Sequence, residues 1–266
     1  MSKHMTFSNS IYYTDNGPSH GSGFPPVIFI HGFFMDSRMF EKQVVYLQDK
    51  YRVICIDVRG FGGSSAVQSA FTLYDIVDDL IKIADHLNLS RFVICGMSMG
   101  GYIALRASIR YPERVCGLIL IGSQAECDNK EIIQKYTDLS NNWEDINIRK
   151  NIIDQLLPVI VGDNEHEQHI WRVIWENHNT ENIKNAMHAM LSRDDIMLQL
   201  REITIPVLII HGEQDFGIPV EAALKLHDNL KYSRLIIIPE GKHAVNITHT
   251  NMVNHIIKTW LQDYFC

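Results

Sequence analysis

The chain has 266 residues, 46% of them hydrophobic and 21% charged, which is typical of a globular protein with one full core. A formal net charge of −7 argues against nucleic acid as a partner, since such binding needs clustered lysine and arginine. No membrane span or secretory signal is evident, and the five cysteines form no C-x-x-C pair, so we expect a cytoplasmic protein with no membrane partner.

Short apolar runs rich in valine and isoleucine alternate with segments of helical spacing along most of the chain. Because these runs are continuous, they predict strands buried on both faces of a parallel sheet. The predicted strands are 26–30, 51–57, 91–96, 114–122, 206–212 and 234–240. Helices are predicted between and after them at 37–50, 72–89, 101–113, 219–230 and 250–265. The alternation indicates βαβ units and an α/β fold with a mostly parallel central sheet.

This rhythm breaks between Gln124 and about Ile203, where only helical pattern is found. We therefore predict a core in two parts, residues 1–123 and 204–266, and a helical cap, residues 124–203, inserted after strand 6. A cap above a site is where aromatic lining is expected. The pocket candidates, which include residues near the predicted serine turn, are Phe34, Met97, Trp143, Trp171 and Trp175.

Ser98 lies in the pentapeptide GMSMG, residues 96–100, between a predicted strand and a predicted helix. A serine on such a turn is held in a strained conformation that exposes its hydroxyl, and glycine is needed on both sides because strand and helix pass close together. The helix that follows points its N-terminus at the serine, so the N–H of Met99 can donate to a developing oxyanion.

A serine hydroxyl needs a general base, which is itself oriented by an acid. Asp215 follows the strand predicted at 206–212, and His243 follows the strand predicted at 234–240. Both loops open at the carboxyl edge of the sheet, where Ser98 also lies. We therefore predict Ser98, Asp215 and His243 as catalytic residues. Asp215 as a helix cap is the plain alternative, and Glu213 is a rival acid.

These motifs resemble those of the α/β-hydrolase family over nearly the whole chain. The matching stretches are HGFF (31–34), DVRGFGGSS (57–65), GMSMGG (96–101), GEQD (212–215) and GKHA (241–244). The resemblance implies that the N–H of Phe33 is the second oxyanion donor. It also implies that His31 braces the oxyanion loop, and that Asp57 and Arg59 belong to loop architecture.

The resemblance and the triad together favour a serine hydrolase that cleaves a small to medium carboxylic ester or lactone through an acyl-enzyme on Ser98. Members of this family that cleave enol-lactones, acyl-lactones and small esters share the SMGG and short HGF features of this chain. Acyl transfer to water needs no cofactor. The HEQH stretch at 166–169 is one residue short of the metal-binding H-E-x-x-H pattern, because Ile170 occupies the position of the second histidine, so no metal is expected.

Three alternatives use the same fold. A hydrolase of C–C bonds in diketone ring-cleavage products has the same triad. An aminopeptidase needs an acidic subsite, which Glu165, Glu167 and Glu176 could supply. A small-molecule receptor would bind without turnover. The sequence leaves the oligomeric state open.

Overall fold

A computed structural model describes residues 11–17, 23–67 and 69–265, so the expectation about a secretory signal concerns residues that lie largely outside the described ones. Within them, seven strands form one sheet in the order β1-β3-β2-β4-β5-β6-β7. The strands are β1 (Tyr13–Asp15), β2 (Val27–Ile30), β3 (Val53–Ile56), β4 (Phe92–Met97), β5 (Val115–Ile121), β6 (Val207–Gly212) and β7 (Ser233–Ile238). β1 pairs antiparallel with β3, and the other neighbours are parallel.

All six strands that the sequence predicts are present in the sheet. Their apolar runs are continuous because the sheet is covered on both faces. Every residue of β2 to β6 is buried, whereas β7, at one edge of the sheet, is only partly covered. This is the pattern of a parallel sheet covered on its faces. The sequence does not predict β1, because three residues are too few to show a strand period.

Ten α-helices accompany the sheet in the described residues. They are α1 (Glu41–Leu47), α2 (Leu73–His86), α3 (Met99–Arg110), α4 (Lys130–Asn141), α5 (Ile146–Val161), α6 (Glu165–Glu176), α7 (Thr180–Leu191), α8 (Val220–Asn229), α9 (Val245–Thr248) and α10 (Thr250–Phe265). α2 packs on α3, and α1 packs on α10. α2 begins at a capping box in which Thr72 and Asp75 exchange hydrogen bonds.

The helices α4 to α7 fall within the predicted cap and connect β5 to β6. Counted over the described residues, they follow the fifth strand rather than the sixth, because a single described strand precedes β2. The cap is fastened to the loop after β3 through Asn182, whose amide donates to Gly60 O at 2.9 Å and accepts from Val67 N at 3.0 Å. The domain boundaries themselves stay a prediction.

Candidate active site

Ser98 sits on a sharp turn between β4 and α3. Its backbone has φ of 52° and ψ of −115°, a region that non-glycine residues rarely adopt and that costs roughly 1–3 kcal/mol. A Cβ atom on Gly96 would overlap the backbone of Gly100, and one on Gly100 would overlap the carbonyl of Ile30. Glycine on both sides of the serine is therefore a steric requirement of this turn.

Asp215 and His243 form a buried hydrogen-bonded pair. His243 Nδ1 lies 2.7 Å from Asp215 Oδ2, while Asp215 Oδ1 accepts the N–H groups of Gly217 at 2.8 Å and Ile218 at 2.9 Å. Burial alone would raise the pKa of Asp215, but the charge and hydrogen bond of His243, with the N–H of Ile218, hold it below the ordinary value. An ionised Asp215 keeps the proton on His243 Nδ1, which leaves Nε2 to act as a base.

The rival acid is placed elsewhere. Glu213 is exposed, and its carboxylate accepts the N–H of Glu240 at 3.1 Å.

Sequence reasoning missed another neighbour of Asp215, the buried His211, whose Nε2 is 2.9 Å from Ile218 O and 3.3 Å from Asp215 Oδ2. Burial lowers the pKa of His211, so it is a neutral donor that fixes the aspartate loop. The sequence did contain a signal for this contact, because His211 lies at the end of β6 and only four residues before Asp215.

Ser98 and His243 line one cavity of about 790 Å³. Within the described residues Ser98 Oγ makes no hydrogen bond, so serine and histidine share the cavity without being joined. Catalytic hydrogen bonds are often long without substrate and tighten when it binds. The apolar part of the wall includes Phe33, Phe34, Met35, Met97, Leu156, Val159, Ile160 and Met190.

The loop after β2, residues 31–34, which the sequence predicts to be the oxyanion loop, passes directly beside the serine. A Cβ atom on Gly32 would lie 2.7 Å from Met97 Sδ and 3.4 Å from Ser98 Cβ. Among the described backbone groups, neither the N–H of Phe33 nor that of Met99 finds an acceptor. Two N–H donors without partners next to a nucleophile are what an oxyanion hole requires.

His31 connects this loop to the loop after β3. It is fully buried, with Nδ1 2.8 Å from Gly32 O and Nε2 accepting the N–H of Val58 at 2.8 Å. Burial lowers its pKa, and the neutral ring satisfies both contacts. Asp57 accepts the N–H groups of Ser37 and Gly63 at 2.7 and 2.8 Å and so fixes a turn. His31 and Asp57 thus act on loop geometry and lie outside the cavity wall.

Phe34 holds the oxyanion loop to the cap. Its φ of 66° is left-handed, and its carbonyl faces His178 Nε2 at 2.8 Å. Its ring lies between Trp143 and Trp175, with centroid distances of 4.8 and 5.0 Å. A bulky residue with positive φ is strained, so these contacts hold the loop in a conformation that it would not adopt alone.

The expectation for the pocket needs a correction. Phe34 and Met97 line the cavity, but Trp143, Trp171 and Trp175 are buried and are not among the residues of its wall. The helical spacing of the cap fits several registers, and the register of α6 places Trp175 against Phe34. Trp143, in the connection between α4 and α5, stacks on the same ring.

The cap also supports the loop that carries His243. The N–H of Ala244 donates to Ile160 O at 3.0 Å, and the N–H of His243 lies 3.4 Å from Val159 O. Both carbonyls belong to the last turn of α5, where no intrahelical donor is available. The end of a cap helix therefore fixes the backbone of the histidine.

No group of three or more metal-ligating side chains occurs among residues 11–17, 23–67 and 69–265. None of the helices in those ranges is both long and apolar enough to cross a bilayer.

Comparisons with known proteins identify the family to which the chain belongs. Residues 25–147 match the family described as alpha/beta hydrolase fold. A Synechocystis sp. protein named as a putative non-heme chloroperoxidase is 33% identical, with 95% of each chain covered. The 3-oxoadipate enol-lactonase 2 of Acinetobacter baylyi is 27% identical, with 90% of each chain covered. A thermophilic esterase from Thermogutta terrifontis superposes with a TM-score of 0.90 at 26% identity and full coverage of both chains. The chain therefore belongs to the α/β-hydrolase family, and its relatives support a hydrolase.

Proposed function

We propose that the protein is a cofactor-independent serine hydrolase that cleaves a small to medium carboxylic ester or lactone through an acyl-enzyme on Ser98. The observation that carries the proposal is the Asp215–His243 hydrogen bond of 2.7 Å, facing the cavity that Ser98 lines. The similarity to an enol-lactonase and an esterase supports the same class of substrate.

In the proposed mechanism, His243 Nε2 removes the proton of Ser98 Oγ, and Oγ attacks the carbonyl carbon of the ester. The N–H groups of Phe33 and Met99 stabilise the tetrahedral oxyanion. His243 then gives its proton to the leaving alcohol. Water attacks the acyl-enzyme by the same route, with Asp215 stabilising the imidazolium cation in each half-reaction.

The cavity gives less support to the aminopeptidase, but it does not separate a C–C bond hydrolase from an esterase. The glutamates considered for an aminopeptidase, Glu165, Glu167 and Glu176, are absent from the wall, and Glu167 pairs instead with Lys42 at 2.6 Å. Of the acidic residues that do line the wall, Glu126 pairs with Lys225 and Asp128 pairs with Arg193. A C–C bond hydrolase would use the same three residues, so the choice of substrate in the assay separates it from an esterase. A receptor would not require a base beside its serine.

The test is hydrolysis of p-nitrophenyl acetate, butyrate and octanoate and of a small lactone by the wild type and the Ser98→Ala variant. We expect a burst of p-nitrophenol followed by turnover, both lost in Ser98→Ala. Ser108→Ala is the matched control, because Ser108 lies on the helix that follows Ser98 and, among the described residues, its hydroxyl donates to Leu105 O alone. Equal inertness of wild type and Ser98→Ala, with no burst, would refute the proposal.

A further inference from the structure

Two tyrosine hydroxyl groups in the cavity wall have no role in the proposed mechanism. Tyr102 and Tyr136 both line the cavity, and neither hydroxyl forms a hydrogen bond with a described residue. Tyr102 is only 5% exposed, and its side chain lines the cavity. A hydroxyl in a cavity wall that has no protein partner is free to bind a ligand that enters the cavity.

Tyr102 is held close to the nucleophile. It lies one helical turn after Ser98, and its N–H donates to Ser98 O at 3.2 Å. Tyr102 lies in the first turn of α3, directly after the serine turn, and its side chain lines the same cavity as Ser98.

The ring of Tyr102 packs against the guanidinium of Arg193, which also lines the cavity. The guanidinium carbon lies 4.4 Å from the ring centroid. The guanidinium is itself immobilised, because it donates to Asp128 Oδ2 at 2.7 Å, Met190 O at 2.8 Å and Glu126 O at 2.9 Å. A ring stacked on a fixed cation cannot swing away, so its hydroxyl is preorganised.

The charges around these hydroxyls favour an uncharged ligand atom. The cation on Tyr102 is already paired with Asp128, and an anion placed here would meet that carboxylate. Lys135 also lines the cavity but is exposed, where water screens it. Burial raises the pKa of both Tyr102 and Tyr136, so both hydroxyls keep their protons and act as donors near neutral pH.

We propose that Tyr102, assisted by Tyr136, binds a second, uncharged carbonyl oxygen of the substrate, so that the preferred substrates are esters or lactones carrying a keto or amide group near the scissile bond. This inference rests on the proposed hydrolase function and names its substrate class. A site built to hydrogen-bond a substrate group discriminates against analogues that lack it, because its own polar group is then left unpaired.

The test uses substrates of matched length. Ethyl levulinate has a ketone where ethyl pentanoate has a methylene group, and monoethyl succinate has a carboxylate at the same end. A second pair, acetonyl acetate and propyl acetate, puts the ketone on the alcohol side. We measure kcat/KM for wild type, Tyr102→Phe and Tyr136→Phe, with the exposed Tyr232→Phe as control. Comparing each variant with wild type cancels the intrinsic reactivity of the esters.

We expect Tyr102→Phe to lower kcat/KM for one of the two ketone substrates by about tenfold, while the ketone-free partner changes by less than about twofold. Tyr136→Phe should act in the same direction with a smaller effect. Equal losses on both members of each pair, or none, would overturn the inference. A wild-type preference for monoethyl succinate over ethyl levulinate would overturn the uncharged assignment. Ser98-dependent hydrolysis of ethyl pentanoate without any ketone effect refutes this inference alone, whereas no Ser98-dependent hydrolysis of any ester refutes the proposed function with it.

Discussion

Replacing His178 tests whether the cap holds the oxyanion loop in place. In His178→Leu the carbonyl of Phe34 loses the donor that lies 2.8 Å away, and Phe34 itself is only 3% exposed. A buried carbonyl without a partner costs about 1–3 kcal/mol. The left-handed φ of 66° at Phe34 adds strain of similar size. Once the donor is removed, a change of the loop to an unstrained conformation therefore lowers its free energy.

Relaxation of that loop would carry the N–H of Phe33 away from the developing oxyanion. Loss of one oxyanion donor lowers kcat by about 10²–10³-fold. We therefore expect kcat of His178→Leu on p-nitrophenyl butyrate to fall by about 10²-fold, with KM changed by less than about threefold, because the donor acts only in the transition state. Affinity for a boronic acid that forms a tetrahedral adduct on Ser98 should fall in parallel.

Two variants separate positioning from general damage to the fold. His178→Gln keeps an N–H donor within reach of the Phe34 carbonyl and should recover most of kcat. His188→Leu changes an exposed histidine of the same cap and should match the wild type. If His178→Leu folds normally and retains both kcat and affinity for the boronic acid, the reasoning about the Phe34 carbonyl is refuted.

Three further outcomes follow from individual side chains. Asp215→Asn should lower kcat by about 10⁴-fold with little change in thermal stability, because an amide favours the wrong tautomer of the histidine; a small loss in an ester assay would count against the triad. Gly100→Ala should fail to fold or melt far below wild type, because its Cβ would overlap the carbonyl of Ile30, whereas Gly32→Ala meets a flexible methionine side chain and should melt closer to wild type. Burial would raise the pKa of the Asp36 carboxyl, but the hydrogen bond and charge of Arg38 hold that pKa below its ordinary value. The ionised Asp36 therefore stabilises the fold above about pH 4, and this stabilisation is lost as the pH falls through the lowered pKa. Urea unfolding of Asp36→Asn should therefore show a smaller loss of stability from pH 7 to pH 3 than wild type does.

The parts of this molecule that follow from sequence are those fixed by local pattern. Strands such as β4 and β5 are buried on both faces, so their apolar runs are unbroken and easily recognised. Ser98, Asp215 and His243 each follow such a strand, and loops at the carboxyl ends of parallel strands share one edge of the sheet. The position of Tyr102 near Ser98 could also have been predicted, because Tyr102 lies in the first turn of the helix that follows the serine.

Contacts between distant segments could not be predicted in this way. The bond from His178 to the Phe34 carbonyl spans 144 residues, and no periodicity in either segment indicates it. Trp143 and Trp175 lie in or near amphipathic cap helices whose rotation is set by packing on the core, so the sequence alone did not decide whether their rings face the cavity or Phe34.

The distribution of these contacts makes the cap part of the catalytic geometry. It supplies the donor to the Phe34 carbonyl on one side of the site and, through Ile160 O, the acceptor for the N–H of Ala244 on the other. Moving the cap as a rigid lid would break both and disturb oxyanion loop and base together. Cap substitutions should accordingly fall into two classes. Those in the wall, such as changes to Tyr136, alter the choice of substrate, whereas those at His178 lower kcat for every ester tested.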